Sequence, residues 1–302
     1  LDCLRIDNVK HMPEGAVAYF VDQIHQFVGS IGKRNFYIVG EIVGERGYTS
    51  EKLHSTDMDA ALGISEVPRK IRAIVEGQRR PADYFEIFAN SKQEDDNAPE
   101  PIWWRNRVVT FFDDHDQVGK PVKSRFAHDF GGDSQQAERG ILRAVALHSL
   151  TLGIPCLYYG TEQGFDGYVP QEGDPLWELE QELQKQQGDG PANQDQFVRE
   201  CLFGGAFGPF RTQGKHCFQE ASWLYQQIAA LLALRQEHQA LRCGPQYLRE
   251  LSADGSTFWL PEPGEQPYLG IIAWSRLQDS EEFLCAINTN PTQAQHAYIS
   301  ID

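Results

Sequence analysis

Short apolar runs that read as strands alternate with longer stretches of helical period, and this alternation restricts the chain to few architectures. LDCLRID opens the sequence. VAYFVDQIHQFVGSIG follows, with Val17, Phe20, Val21, Ile24, Phe27, Val28 and Ile31 at helical spacing. NFYIVGEI (35–42) reads as a second strand, IRAIVEG as a helix, DYFEIFA (83–89) as a third strand and RVVTFFDD (107–114) as a fourth. QQAERGILRAVALHSLTLG (135–153) has the pattern of an amphipathic helix closed by glycine, and GIPCLYYG (153–160) of a fifth strand. Strands separated by helices predict parallel βα units, arranged as a barrel or a doubly wound sheet.

The pattern then changes. Residues from Thr161 to about Gly214, rich in Glu and Gln around WELEQELQKQQGDG, read as a surface insertion. ASWLYQQIAALLALRQEH (221–238) is a helix, and YLRELSADGSTFWL predicts two strands joined at Asp254-Gly255. GIIAWSR, EEFLCAINT and HAYISI continue as strands, so residues 245–302 are expected to form a small antiparallel β domain.

Composition narrows the partners. The 302 residues carry a formal net charge of −16, which disfavours nucleic acid or an anionic membrane and suits a neutral ligand. No apolar run reaches the roughly 18 residues of a membrane span. The six cysteines, Cys3, Cys156, Cys201, Cys217, Cys243 and Cys285, contain no C-x-x-C pair, which argues against structural zinc. Cys3 and Cys156 are expected as small buried hydrophobes.

Charged residues stand where parallel α/β folds place their chemistry, at the carboxyl ends of strands. Asp7 ends the first run, Glu41 the second, and Asp116 follows the fourth beside His115. Cys3, Arg5 and Asp7 share one face of a strand. That pairing is either a buried ion pair or a working site. Carboxylates that converge repel one another and imply metal binding or acid–base work. Paired carboxylates are what glycoside hydrolysis requires. Asp113 and Asp114 compete with Asp116, and Glu45 with Glu41. Trp103, Trp104 and Trp177 are candidate sugar platforms.

Four of these segments carry a family resemblance. LDCLRIDNVKH resembles the G-L-R-x-D-x-x-K-H segment of the α-amylase family of glycoside hydrolases, YIVGEI its G-E segment, and FFDDHD its F-x-D-N-H-D segment. GIPCLYYGTEQ resembles its G-x-P-x-x-Y-Y-G-x-E segment. Their order and spacing are those of the family. Cys3 stands where the family has glycine, and Asp114 where it has asparagine.

The resemblance implies an α/β fold: a partial TIM (β/α)8 barrel, strands four to eight, over residues 1–244, with the insertion at about 161–214, and then the antiparallel domain. It implies a retaining glycosidase acting on α-linked glucans or oligosaccharides, with Asp7 as nucleophile, Glu41 as general acid/base and Asp116 stabilising the transition state. Arg5, Lys10, His11 and His115 are implied as substrate-binding residues. An α-glucan transglycosylase would use the same residues, and a non-catalytic sugar-binding or scaffold relative is a further class. No cofactor is implied, and no metal ligand is assigned within this chain. Calcium belongs to the expected full-length parent, whose aspartate and asparagine-histidine segment would precede Leu1. Three strands are unaccounted for, so the chain reads as an excerpt. Its open edges are expected to pair with the missing barrel half or with a second copy, and alone it is expected to be poorly stable or inactive.

Overall fold

The computed structural model describes residues 2–88, 104–117, 124–167, 172–173, 177–186, 198–200, 219–262 and 270–301. Five strands lie side by side in chain order. β1 (Cys3–Ile6) pairs in parallel with β2 (Tyr37–Gly44), with Arg5 opposite Val39. β2 pairs in parallel with β3 (Ala60–Ile64), with Glu41 opposite Leu62. Ala61 bridges to Val108 in parallel, just before β4 (Val109–Thr110), and β4 pairs with β5 (Ile154–Pro155).

Helices cross between the strands: α1 (Glu14–Ser30), α2 (Arg46–Thr56), α3 (Glu66–Val75), α4 (Pro81–Phe85) and α5 (Ser134–Leu150). Ile38, Ile42, Ala61, Ile64, Ile71 and Val145 lie within one buried cluster between strands and helices. Asp133 caps α5 by accepting from the Gln136 amide at 3.0 Å, the expected device at a helix start.

One edge of this sheet is open: among the described residues β1 pairs only with β2. α1 beside it is apolar on two sides. Val17, Val21 and Val28 are buried inward, whereas Tyr19, Phe20, Phe27 and Ile31 are exposed outward. A surface helix ordinarily carries one apolar stripe. The second stripe divides the single helical pattern seen in the sequence into an inner and an outer face.

Beyond α5, a helix spans Trp223–Glu237 and a short one Gln239–Cys243. β6 (Gln246–Leu248) and β9 (Glu281–Asn288) flank β8 (Ile271–Gln278) in an antiparallel sheet, and β7 (Leu251–Ser252) pairs with β10 (Tyr298–Ile299). Leu251 and Trp259 exchange backbone hydrogen bonds at 2.8 and 3.0 Å across the Asp254-Gly255 turn. β8 is tied to the end of α5: Trp274 Nε1 and Arg276 Nη1 donate to the Leu150 carbonyl at 3.1 and 2.9 Å, and Arg276 also reaches the Gly244 carbonyl.

Three expectations are corrected. DYFEIFA is not a strand. Pro81 at its first turn and Asp83 start α4, and a 3-10 turn (Glu86–Phe88) follows. The third strand is Ala60–Ile64, AALGI, whose Ala60, Ala61 and Gly63 permit close packing on both faces. Cys3 and Cys156 are exposed, and the described cysteines Cys3, Cys156, Cys243 and Cys285 are free. Trp104 is wholly buried and cannot serve as a sugar platform. Trp103 and most of the insertion lie outside the described residues, whereas Trp177 opens a helix over Trp177–Gln186.

Candidate active site at the carboxyl ends of the parallel strands

Arg5 organises the first half of the site. It sits on β1, and the chain turns immediately after Ile6. Its Nη1 lies 2.8 Å from Asp7 Oδ1, and its Nη2 lies 3.2 Å from Glu41 Oε2 on the neighbouring strand. One planar guanidinium therefore holds both carboxylates, a task suited to the arginine fork. Parallel pairing with Arg5 opposite Val39 sets Glu41 two positions further along β2. β2 runs on to Gly44, past the end read from the sequence, and its register with β3 shifts between Glu41 and Gly44. Gly63 stands at φ +107° at that irregularity, and a Cβ added there would come within 3.2 Å of the Ile42 carbonyl, so a side chain would be strained.

The two carboxylates differ in exposure. The Asp7 side chain is 64% exposed and Glu41 only 12%. Asn8 is the residue that sequence reasoning missed here. It adopts the left-handed conformation at φ 53°, one that asparagine tolerates, and its backbone N–H donates to Glu41 Oε2 at 2.9 Å. Glu41 Oε2 thus has a guanidinium and an amide on it. Lys10 and His11 continue from Asn8 in a 3-10 turn, Val9–His11, in which Val9 is buried and Lys10 and His11 are exposed, and no hydrogen bond or ion pair joins these two to Asp7 or Glu41 among the described residues.

The second half lies after β4. His115 Nε2 is 3.4 Å from Asp116 Oδ2. The Asp116 amide donates to Asp114 Oδ1 at 2.6 Å, so Asp114 shapes the turn. Asp113 is a buried structural group: it pairs with Arg72 and accepts the Phe126 amide at 2.9 and 3.1 Å. Glu45 is exposed and reaches Arg69 at 3.8 Å. Arg199 was not anticipated. Its Nη2 lies 2.6 Å from Asp116 Oδ1, and its Nε donates to the His115 carbonyl at 3.1 Å.

Cys156 lies just past β5, its backbone N–H donating to the Thr110 carbonyl at 2.8 Å. Its surface is open to solvent. Even so, crowding around its thiol raises the pKa, Asp114 raises it further and Arg5 lowers it. Because β1 to β4 run parallel, Asp7, Glu41 and Asp116 all lie toward or past the carboxyl ends of their strands, on the same side of the sheet. No group of three or more His, Cys, Asp or Glu among the described residues is placed to hold a metal ion.

With this geometry, the likeness to known proteins is informative. A family model for the alpha-amylase catalytic domain matches residues 4–244. An alpha-amylase of Streptomyces lividans is 26% identical over 308 aligned positions, which cover 99% of this chain and 29% of that protein. A cyclomaltodextrin glucanotransferase of Paenibacillus macerans is 28% identical over 178 positions, 58% of this chain and 21% of that one. Among solved structures, the alpha-amylase from H. orenii has a TM-score of 0.59 at 15% identity and covers 96% of this chain and 51% of its own. The Geobacillus thermoleovorans alpha-amylase complexed with acarbose has a TM-score of 0.58 at 18% identity, covering 96% and 48%. The chain thus spans less than a third of these curated relatives and about half of these solved chains. The structural likeness speaks for the TIM-barrel fold, and the family model for ancestry: the chain belongs to the alpha-amylase family.

Proposed function

We propose that this chain carries the catalytic carboxylates of a retaining enzyme acting on α-linked glucans. The observation that supports this best is the single Arg5 guanidinium joined to both Asp7 and Glu41 at adjacent strand ends. Asp7 acts as nucleophile. Its carboxylate attacks the anomeric carbon, the glycosidic C–O bond breaks, and Glu41 gives its proton to the departing oxygen. Glu41 then removes a proton from the incoming hydroxyl, which attacks the same carbon and frees Asp7. A retaining enzyme needs these carboxyl groups only about 5–5.5 Å apart, a separation that one guanidinium can bridge. Asp116 and His115 hold hydroxyls of the reacting sugar, and Lys10 and His11 lie on the side of the leaving sugar.

Water as acceptor gives hydrolysis, and a sugar hydroxyl gives transglycosylation. The glucanotransferase relatives favour keeping the second outcome in view.

The barrel part of this reading occupies 1–244, as strands four to eight, and the antiparallel domain 245–302. The open edge of β1 and the outer face of α1 then await three further strands and their helices, or a second copy of the chain.

The test is product release from an α-1,4-linked malto-oligosaccharide, with the anomer followed by NMR. It is run on this chain, on a longer form supplying the remaining strands, and on Glu41→Gln in each. A first-formed α-anomer that falls about 100- to 10,000-fold in Glu41→Gln is the expected result. A β-anomer would refute retention, and no turnover in either form would favour a sugar-binding scaffold.

A further inference from the structure

Arg199 is set in a segment far more firmly held than a surface arginine requires. Val198 and Glu200, on either side of it, are buried. The Tyr158 hydroxyl donates to the Val198 carbonyl at 2.9 Å, and the Tyr159 hydroxyl to the Glu200 carbonyl at 2.8 Å. The Glu200 carboxylate pairs with Arg125 at 2.5 Å and accepts the Gly167 amide at 3.1 Å. Arg125 has no exposed surface and lies over the rings of Tyr158 and Tyr159, 4.3 and 5.1 Å from their centroids. Breaking a buried pair leaves an uncompensated charge, so this anchor resists displacement.

Between the two pinned residues, Arg199 alone turns outward, and it reaches the His115-Asp116 step with Nη2 on Asp116 Oδ1 and Nε on the His115 carbonyl. An isolated exposed ion pair contributes little, largely because two long side chains must be ordered to make it. Here the backbone on one side is already ordered. The two oxygens of Asp116 are also divided: Oδ1 meets Arg199, and Oδ2 faces His115.

We propose that Arg199 is a positioning residue for the glycosyl-transfer site, fixing the Asp116 carboxylate in one orientation through an anchor built on Arg125, Glu200 and the two tyrosines. This rests on the function proposed above. Arg5 serves Asp7 and Glu41, Arg199 serves Asp116, and two guanidiniums thereby hold three carboxylates in one site. Arg199 acts through Asp116 and need not touch the sugar.

The test is a double-mutant cycle in the form of the protein active on malto-oligosaccharides, using Arg199→Met, Asp116→Asn and the pair, with an aryl α-maltoside as a reactive substrate. Arg199→Met is expected to lower kcat about 10- to 100-fold, with KM changed less than about threefold. In the Asp116→Asn background the same change should cost less than about twofold, because its target is gone. Arg199→Lys should recover part of the loss, and guanidinium added to Arg199→Ala should restore activity in a saturable way. Melting temperatures of the Arg199 variants should match the parent. Equal losses in both backgrounds, or a kcat within twofold of the parent, would overturn the role while leaving the proposed function intact. An inactive parent, or a fully active Glu41→Gln, would remove the proposed function and this role with it.

Discussion

His148 offers a sharp test of the packing at the centre of the fold. It lies on α5 with no exposed surface, its ring edge-on to Phe112 at 5.4 Å between centroids. Neither ring nitrogen makes a hydrogen bond of ordinary geometry. Burial pushes its pKa down to about 3; the Thr110 backbone raises it somewhat, and Arg235 lowers it again. The folded chain therefore keeps this ring neutral, while the unfolded chain protonates it near its ordinary value of 6.5. Between those values the unfolded state binds more protons, so stability falls as pH falls. Each pH unit is worth about 1.4 kcal/mol.

The sequence pI is about 5.0, so pH 5.5 is a practical lower limit for a soluble sample. Moving from pH 7.5 to 5.5 should then cost about 1.4 kcal/mol through His148 alone. With a urea slope of about 3 kcal/mol/M for a chain of this size, the midpoint should fall by about 0.5 M. His148→Leu removes the titrating ring and keeps the site apolar. Its own midpoint should fall about 0.5 M less than the parent's over the same interval. Other groups titrate in both proteins and cancel in the difference. Equal shifts in parent and variant would refute the claim that this ring is buried neutral.

Two further outcomes follow from the packing. Arg276→Met removes the cation that bonds the Leu150 and Gly244 carbonyls; it should cost about 2–4 kcal/mol. Calorimetry should show a melting temperature lower by about 4–8 °C, and a loss under 2 °C would count against the tie. Replacing Phe20 and Phe27 together with glutamate should reduce concentration-dependent association of this chain in light scattering and leave its melting temperature unchanged, because both side chains point outward. Unaltered association would show that the outer face of α1 is not the adhesive surface.

The candidate site was legible in the sequence where one local segment contains the relevant residues. Arg5 and Asp7 are two apart on a strand, and Glu41 lies at the matching end of the next, so period and motif sufficed. β3 was not legible because AALGI lacks the β-branched and aromatic residues that mark strands; its suitability comes from small side chains between two packed layers. DYFEIFA had the aromatic content of a strand, but Tyr84 and Phe88 meet edge-on at 5.3 Å from successive helical turns. Trp104 sat in polar sequence and proved to be core. Arg199 carried no signal, because it reaches Asp116 through tertiary anchoring 83 positions away.

The strand that bears Arg5 and leads into Asp7 is also the strand with a free edge. An enzyme divided at this boundary would leave the proposed nucleophile on the seam. Turnover would then report reassembly of the two pieces, rising with the product of their concentrations at low dose and saturating at their dissociation constant. The open edge of this sheet is accordingly a natural place to build a split reporter whose output, on the proposed function, is released sugar.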